Sequence, residues 1–216
     1  MNKTVYFLID CSGSMYGNRA NAVNTAMERI AVEVVPEIRK QKNADLNISF
    51  MFLGFSDSFP DKVVELMPRT DLDDFNMWKR IPDSQFNGGT PTGAAIEKVI
   101  QDLQGGVHGE PDPNAVAPVI ILVSDGAPNG TNPSYDEIME CAVKGGPKEI
   151  RLFRKALRVA LAMDVDASGR ASLQKFGKVS DRMEKAGISA YHECQNEYTK
   201  DFIEILMSVT LNASVG

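Results

Sequence analysis

The segment Pro118-Val119-Ile120-Ile121-Leu122-Val123-Ser124-Asp125-Gly126 constrains the fold more than any other stretch of the chain. An unbroken run of aliphatic and β-branched residues suits a strand covered on both faces, as in a parallel sheet with helices on either side. Here the run ends in a carboxylate. The same arrangement occurs near the start of the chain, where Val5-Tyr6-Phe7-Leu8-Ile9 leads directly into Asp10-Cys11-Ser12-Gly13-Ser14. Open α/β sheets bind ligands beyond the carboxyl ends of their strands, so both acids stand where a site is expected.

Asp10, Ser12 and Ser14 are spaced by two, so in an extended loop their side chains can converge while Cys11 and Gly13 point elsewhere. All three offer oxygen and none offers sulfur or imidazole, which suits a hard cation such as Mg2+ or Mn2+ better than zinc. A third segment, Asn87-Gly88-Gly89-Thr90-Pro91-Thr92-Gly93, adds hydroxyls in a glycine-loosened loop that opens a helix near Pro91 or Thr92. Asp-x-Ser-x-Ser, a threonine in a Gly-Gly-Thr-Pro-Thr loop, and an aspartate closing an apolar strand together resemble the metal-ion-dependent adhesion site (MIDAS) of von Willebrand factor A (VWA) domains. Asp10, Ser12, Ser14, Thr90 and Asp125 fill its five positions.

The resemblance implies that Thr90, the first hydroxyl of its loop, is the ligand. Thr92 is then the helix N-cap or a first-turn residue whose hydroxyl can satisfy an orphan amide. In this family the two aspartates commonly reach the ion through water. A dication ligated by neutral hydroxyls keeps much of its charge and seeks a further anion, and the resemblance implies that a partner protein's Asp or Glu supplies it. The expected function is therefore metal-dependent protein binding, not catalysis.

The remaining segments alternate between strand and helix patterns. Val23, Ala26, Met27, Ile30, Val34 and Ile38 recur at helical spacing over 19–40, with Pro36 expected to kink or break the last turn. Leu46–Phe55 and Lys62–Leu66 read as a second and third strand. Six residues between them are too few for a crossover helix, which makes the pair an antiparallel hairpin at the sheet edge. Helices are predicted around 71–79, over Thr92–Leu103, within Pro133–Val143, in one or two pieces over 170–186, and over Thr199–Ser208. Leu157–Met163 and Ile188–His192 read as a fifth and sixth strand. The expectation is one α/β domain over 1–216: a doubly wound, mostly parallel sheet ordered 3-2-1-4-5-6, strand three antiparallel, with helices on both faces.

At 216 residues, 43% hydrophobic and 24% charged, the composition is ordinarily globular. A net charge of -6 without a basic run argues against nucleic-acid binding. No apolar run approaches the ~20 residues of a membrane span and no signal-peptide pattern leads the chain. Three scattered cysteines, Cys11, Cys141 and Cys194, do not form a disulfide framework. A cytoplasmic protein, monomeric in isolation, is expected.

Other chemistries fit less well. A haloacid-dehalogenase-like phosphatase with Asp10 as nucleophile lacks its second acid, since Ser12 stands there. A serine hydrolase would need a Gly-x-Ser-x-Gly elbow and could draw only on His108 or His192 as base, and there is no phosphate-binding Gly-x-x-x-x-Gly-Lys loop. His108, Glu110 and Asp112 read as an acidic loop. Asp164-Val165-Asp166-Ala167-Ser168-Gly169 imitates half of a calcium loop, but Lys175 stands where the closing glutamate belongs. Within the family, Leu8–Met15, Val159–Met163 and Leu206–Thr210 resemble the bacterial tellurite-resistance (TerY-like) subgroup. That implies a stress or defence setting with kinase or phosphatase partners, the alternative being a subunit that engages an AAA+ ATPase.

Overall fold

A computed structural model of the chain describes residues 1–105, 111–129, 133–185, 189–194 and 200–215. Its strands are β1 (Asn2–Asp10), β2 (Asn47–Phe55), β3 (Val63–Asp71), β4 (Val119–Ser124), β5 (Leu157–Met163) and β6 (Tyr191–Cys194), in the order β3-β2-β1-β4-β5-β6. All neighbours are parallel except the antiparallel pair β2 and β3. The predicted topology is thus the observed one.

Both faces of the central strands are apolar. Val5, Phe7 and Ile9 of β1, with Ile121 and Val123 of β4, enter one core; Tyr6, Leu8, Ile120 and Leu122 enter the other. Period-two alternation between two buried faces produces the continuous apolar runs seen in the sequence. The first core is covered by α1 (Asn18–Arg29), α2 (Val35–Gln41) and α8 (Lys200–Val215); the second by α3 (Thr92–Leu103), α4 (Tyr135–Met139), α5 (Arg151–Lys155) and α6 (Ala167–Phe176). A short α7 spans Asp181–Lys185.

The long helical pattern over 19–40 is realised with all six stripe residues buried, but Pro36 acts differently from expectation. A π-turn, Ile30–Val34, precedes it, and the N–H of Val35 donates to Ile30 O, five residues back. The proline ring would collide with a carbonyl in a regular ladder. Widening the preceding turn lets the helix run on to Gln41 instead of breaking at its end.

The helix predicted around 71–79 does not form. After a turn over 72–74 the chain forms neither helix nor strand as far as Pro82, and Leu72, Phe75, Trp78 and Ile81 are inserted into the first core. Its backbone is satisfied by helix side chains instead. Arg39 donates to the carbonyls of Leu72, Asp73 and Phe75. Buried Asn24 donates to Ile81 O at 3.0 Å and accepts from Ile81 N at 2.8 Å and Trp78 Nε1 at 2.9 Å. Elsewhere β3 runs five residues beyond the predicted Leu66, through Pro68, because an edge strand tolerates a residue without an N–H. Helix α5 was not anticipated, and α6 begins at Ala167, before the predicted 170. Thr92–Leu103 and Leu157–Met163 match expectation to the residue. The sixth strand is shifted to Tyr191–Cys194 and the last helix extends to Val215, with Ile188 and Thr199 outside the described residues.

Asn24→Ala is expected to destabilise the fold by about 3 kcal/mol, because two buried donors and a carbonyl lose their partner at about 1 kcal/mol or more each. The emission of Trp78, the only tryptophan, should shift to the red as its strap loosens. Urea unfolding followed by fluorescence checks both, and wild-type stability in the variant contradicts this account of the strap.

Candidate functional site

The register Ile9↔Val123 between parallel neighbours brings the ends of β1 and β4 side by side. Asp10 is the last residue of β1 and Asp125 follows β4, so two carboxylates meet at the carboxyl edge of the sheet. Asp10 is fully buried. One of its oxygens accepts from Ser12 N at 2.8 Å and the other from Ser124 Oγ at 2.6 Å. Burial pushes its carboxyl up to about 7 against the pull of these hydrogen bonds, and the charge of Asp125 pushes the same way.

Ser12, Ser14 and Asp125 form a chain: Ser14 Oγ donates to Asp125 Oδ1 at 2.8 Å and lies 3.1 Å from Ser12 Oγ. Burial also raises the Asp125 carboxyl, opposed by Ser14 and by Arg19. Cys11, between Asp10 and Ser12, turns away; its Sγ contacts Ile9 O at 3.6 Å and burial pushes its thiol far up. This is the alternation expected of the motif.

Thr90 is positioned through its backbone. Thr92 N donates to Thr90 O at 2.9 Å across Pro91, whose φ of -78° and ψ of 59° make an inverse γ-turn into α3. Thr92 is the first residue of that helix, and no side chain caps it. Thr90 N donates to Asn129 Oδ1 at 2.7 Å, and Asn129 N returns a bond to Thr90 O at 3.1 Å. A Cβ built on Gly126 would lie 3.9 Å from Thr90 Oγ1, which places the hydroxyl beside the Asp125 turn.

The loop carrying Thr90 is stitched to its surroundings. Asn87 N donates to Cys11 O at 2.9 Å, and Gly13 N to Gly88 O at 3.0 Å. Ser56, after β2, donates its hydroxyl to Asn87 O. Gly88 has φ +78°, and a Cβ there would meet the Ser58 backbone nitrogen at 2.8 Å. Glycine is required twice over: for the left-handed backbone and for the close approach.

Residues 4–149 match the profile of the von Willebrand factor type A domain. The chain belongs to that family. Domains of this family mediate protein binding and are usually non-catalytic. The chain is similar in fold to the pilus adhesin SpaC of Lactobacillus rhamnosus GG, at 14% identity over 99% of this chain and 31% of that one, TM-score 0.60. It is similar to a von Willebrand factor type A protein from Catenulispora acidiphila, at 13% identity over 99% and 43%, TM-score 0.59. A third likeness is to proximal thread matrix protein 1 of the mussel byssus, solved with zinc in its MIDAS motif, at 16% identity over 100% and 48%, TM-score 0.55. The chain spans less than half the length of each of these three structures. A comparison with curated proteins gave no match.

Within this VWA domain, sequence reasoning missed Ser124, which reads as one more core position of β4, and Asn129. It also missed Arg19, in the first turn of α1, whose Nη1 lies 2.6 Å from Asp125 Oδ2. Among the described residues no three His, Cys, Asp or Glu side chains gather, so a cation at the sheet edge would depend on hydroxyls. His108 and Glu110 lie outside the described residues, while Asp112 accepts from Asn2 and from Asn114 N. Asp166 caps α6 by accepting from Gly169 N at 2.7 Å, which commits it to the helix. His192 sits on β6, opposite Leu161.

Gly88→Ala is expected to cost more than Gly17→Ala. Both replace a glycine of positive φ, +78° and +84°, but nothing lies within 4 Å of a Cβ on Gly17. A positive φ penalises a side chain at both positions, and the clash with Ser58 adds to that penalty only at Gly88. Chemical denaturation of the two variants measures the difference, and equal losses count against the tight seating of this loop.

Proposed function

We propose that this domain is a metal-dependent carboxylate receptor, in which Asp10, Ser12, Ser14, Thr90 and Asp125 hold Mg2+ or Mn2+ and the ion captures an Asp or Glu of a partner protein. The observation that carries the reading is the juxtaposition of Asp10, Asp125, Ser12 and Ser14 at the carboxyl ends of adjacent strands. Burying two like charges together is costly unless a cation or protons compensate. The donor set is all oxygen, which fits a hard dication. When bound, the ion supplies a Lewis-acidic point for the incoming carboxylate.

The chain's own residues do the rest. Ser124 and the Ser12 N–H orient Asp10, the Ser12–Ser14 chain orients Asp125, and the γ-turn with Asn129 presents Thr90. The site belongs to a binding module in this reading, and neither the phosphatase alternative nor one in which the domain engages an AAA+ ATPase draws support from a residue beyond those named. The finer setting, a cytoplasmic tellurite-resistance (TerY-like) module beside kinase or phosphatase partners, rests on the sequence resemblance of Leu8–Met15, Val159–Met163 and Leu206–Thr210. Three cysteines without disulfides suit that compartment.

Calorimetry with MgCl2 and MnCl2 tests the site, with ZnCl2 as the control that the mussel protein's zinc-occupied site recommends. Asp10→Ala should abolish Mg2+ binding. Ser12→Ala and Thr90→Ala should each weaken it by about tenfold or more, at roughly 1.4 kcal/mol per factor of ten. Thr92→Ala should change it less than Thr90→Ala. Capture of the partner from lysate should disappear in EDTA and return with Mg2+, while the isolated chain hydrolyses neither ATP nor a phosphomonoester. Unchanged Mg2+ affinity in Asp10→Ala refutes the assignment.

A further inference from the structure

Arg19 occupies an awkward place for a cation. It lies in the first turn of α1, where the helix dipole is positive and where the helix carries no acidic residue. What holds it there is the site. Nη1 donates to Asp125 Oδ2 at 2.6 Å and to Ser14 O at 2.7 Å, and the Arg19 side chain is only 23% exposed while that of Asp125 is 1% exposed. With Ser14 Oγ on Oδ1, both oxygens of Asp125 are engaged by the protein itself.

A second acid stands on the far side of the guanidinium. Asp164 follows β5, the strand beside β4, and its carboxylate lies 3.5 Å from Arg19 Nη2, a charge contact longer than a good hydrogen bond. It holds a left-handed backbone, φ +58°, which is uncommon for a residue with a side chain. Arg19 therefore bridges the carboxylates that end two neighbouring strands, gripping one tightly and the other loosely.

We infer that Arg19 is a built-in competitor of the metal: its guanidinium neutralises Asp125 in the metal-free protein, and the affinity of the site is set by how readily it yields that carboxylate to a cation. The inference rests on the metal-binding reading above. A dication near Asp125 meets the repulsion of a fixed positive charge or takes the carboxylate from it, and either lowers affinity. Asp164 moderates the competition by offering the guanidinium another partner. The domain is thereby held to weak metal binding.

The test is Mg2+ titration of the full chain by calorimetry, with thermal unfolding as a second readout. Arg19→Gln should bind Mg2+ about tenfold tighter or more. Arg19→Lys, which keeps the charge, should stay near wild type. Asp164→Asn should weaken binding, and that effect should shrink in the Arg19→Gln background, as a double-mutant cycle reads it. Saturating Mg2+ should raise the Tm of Arg19→Gln more than that of wild type, because only the metal-free variant leaves Asp125 without the Arg19 counter-charge. A purely structural arginine would lower both Tm values alike. If wild type binds Mg2+ and Arg19→Gln binds no tighter, the inference falls and the site reading stands. If neither protein binds Mg2+, both fall.

Discussion

The carboxylate of Asp10, buried without exposure at the end of a central strand, is the constraint around which the carboxyl edge of this domain is arranged. An ionised group there is tolerated only if its oxygens are occupied and its charge is answered. Ser124 from the adjacent strand and the Ser12 N–H meet the first condition. The second is met only in part, because the neighbouring charge belongs to Asp125, and Arg19, the cation that joins this network, contacts Asp125 and not Asp10. A protein that places acids so close carries that cost, and a cation held there, as proposed, would offset it.

Holding three separate loops in register around that point is a problem of backbone hydrogen bonds more than of side chains. The loop with Thr90 exchanges bonds with the β1 loop through Cys11 and Gly13, with the turn after β2 through Ser56, and with the chain after β4 through Asn129. Its upstream end is the strap over 75–86, irregular up to Pro82 and then a 3-10 turn at Asp83–Gln85, anchored by Asn24 from α1. Each connection comes from a different element, so no single helix or strand determines where the threonine hydroxyl lies.

Much of this was legible in the sequence because the informative residues obey simple periodicities. The apolar runs of β1, β4 and β5 declared a sheet buried on both sides, and the motif spacing alone grouped Asp10, Ser12 and Ser14. Ser124 was illegible because a serine at the end of an apolar strand carries no periodic signal; its role exists only once β4 lies beside β1. Arg19 reads as a surface helix residue until Asp125 arrives beside it. The helix expected around 71–79 fails for a related reason: Leu72, Phe75, Trp78 and Ile81 are buried, but Asn24 and Arg39 supply hydrogen bonds that a helix would have supplied to itself. Pro68 hid the second half of β3, since a proline ends a strand everywhere except at an edge.

That edge has a further consequence. Among the described residues β3 ends the sheet, and an open strand invites another chain to pair with it. The register of β3 slips twice near Phe52, Pro68 offers no amide, and Glu65 and Arg69 place charge along the strand. These features interrupt the flat, regular ladder that an added strand would need. Growth of the sheet by strand addition on that side is therefore disfavoured, and in the proposed reading recognition falls to the loops at the carboxyl end, where binding would be reversed by removing an ion without separating a hydrogen-bonded sheet.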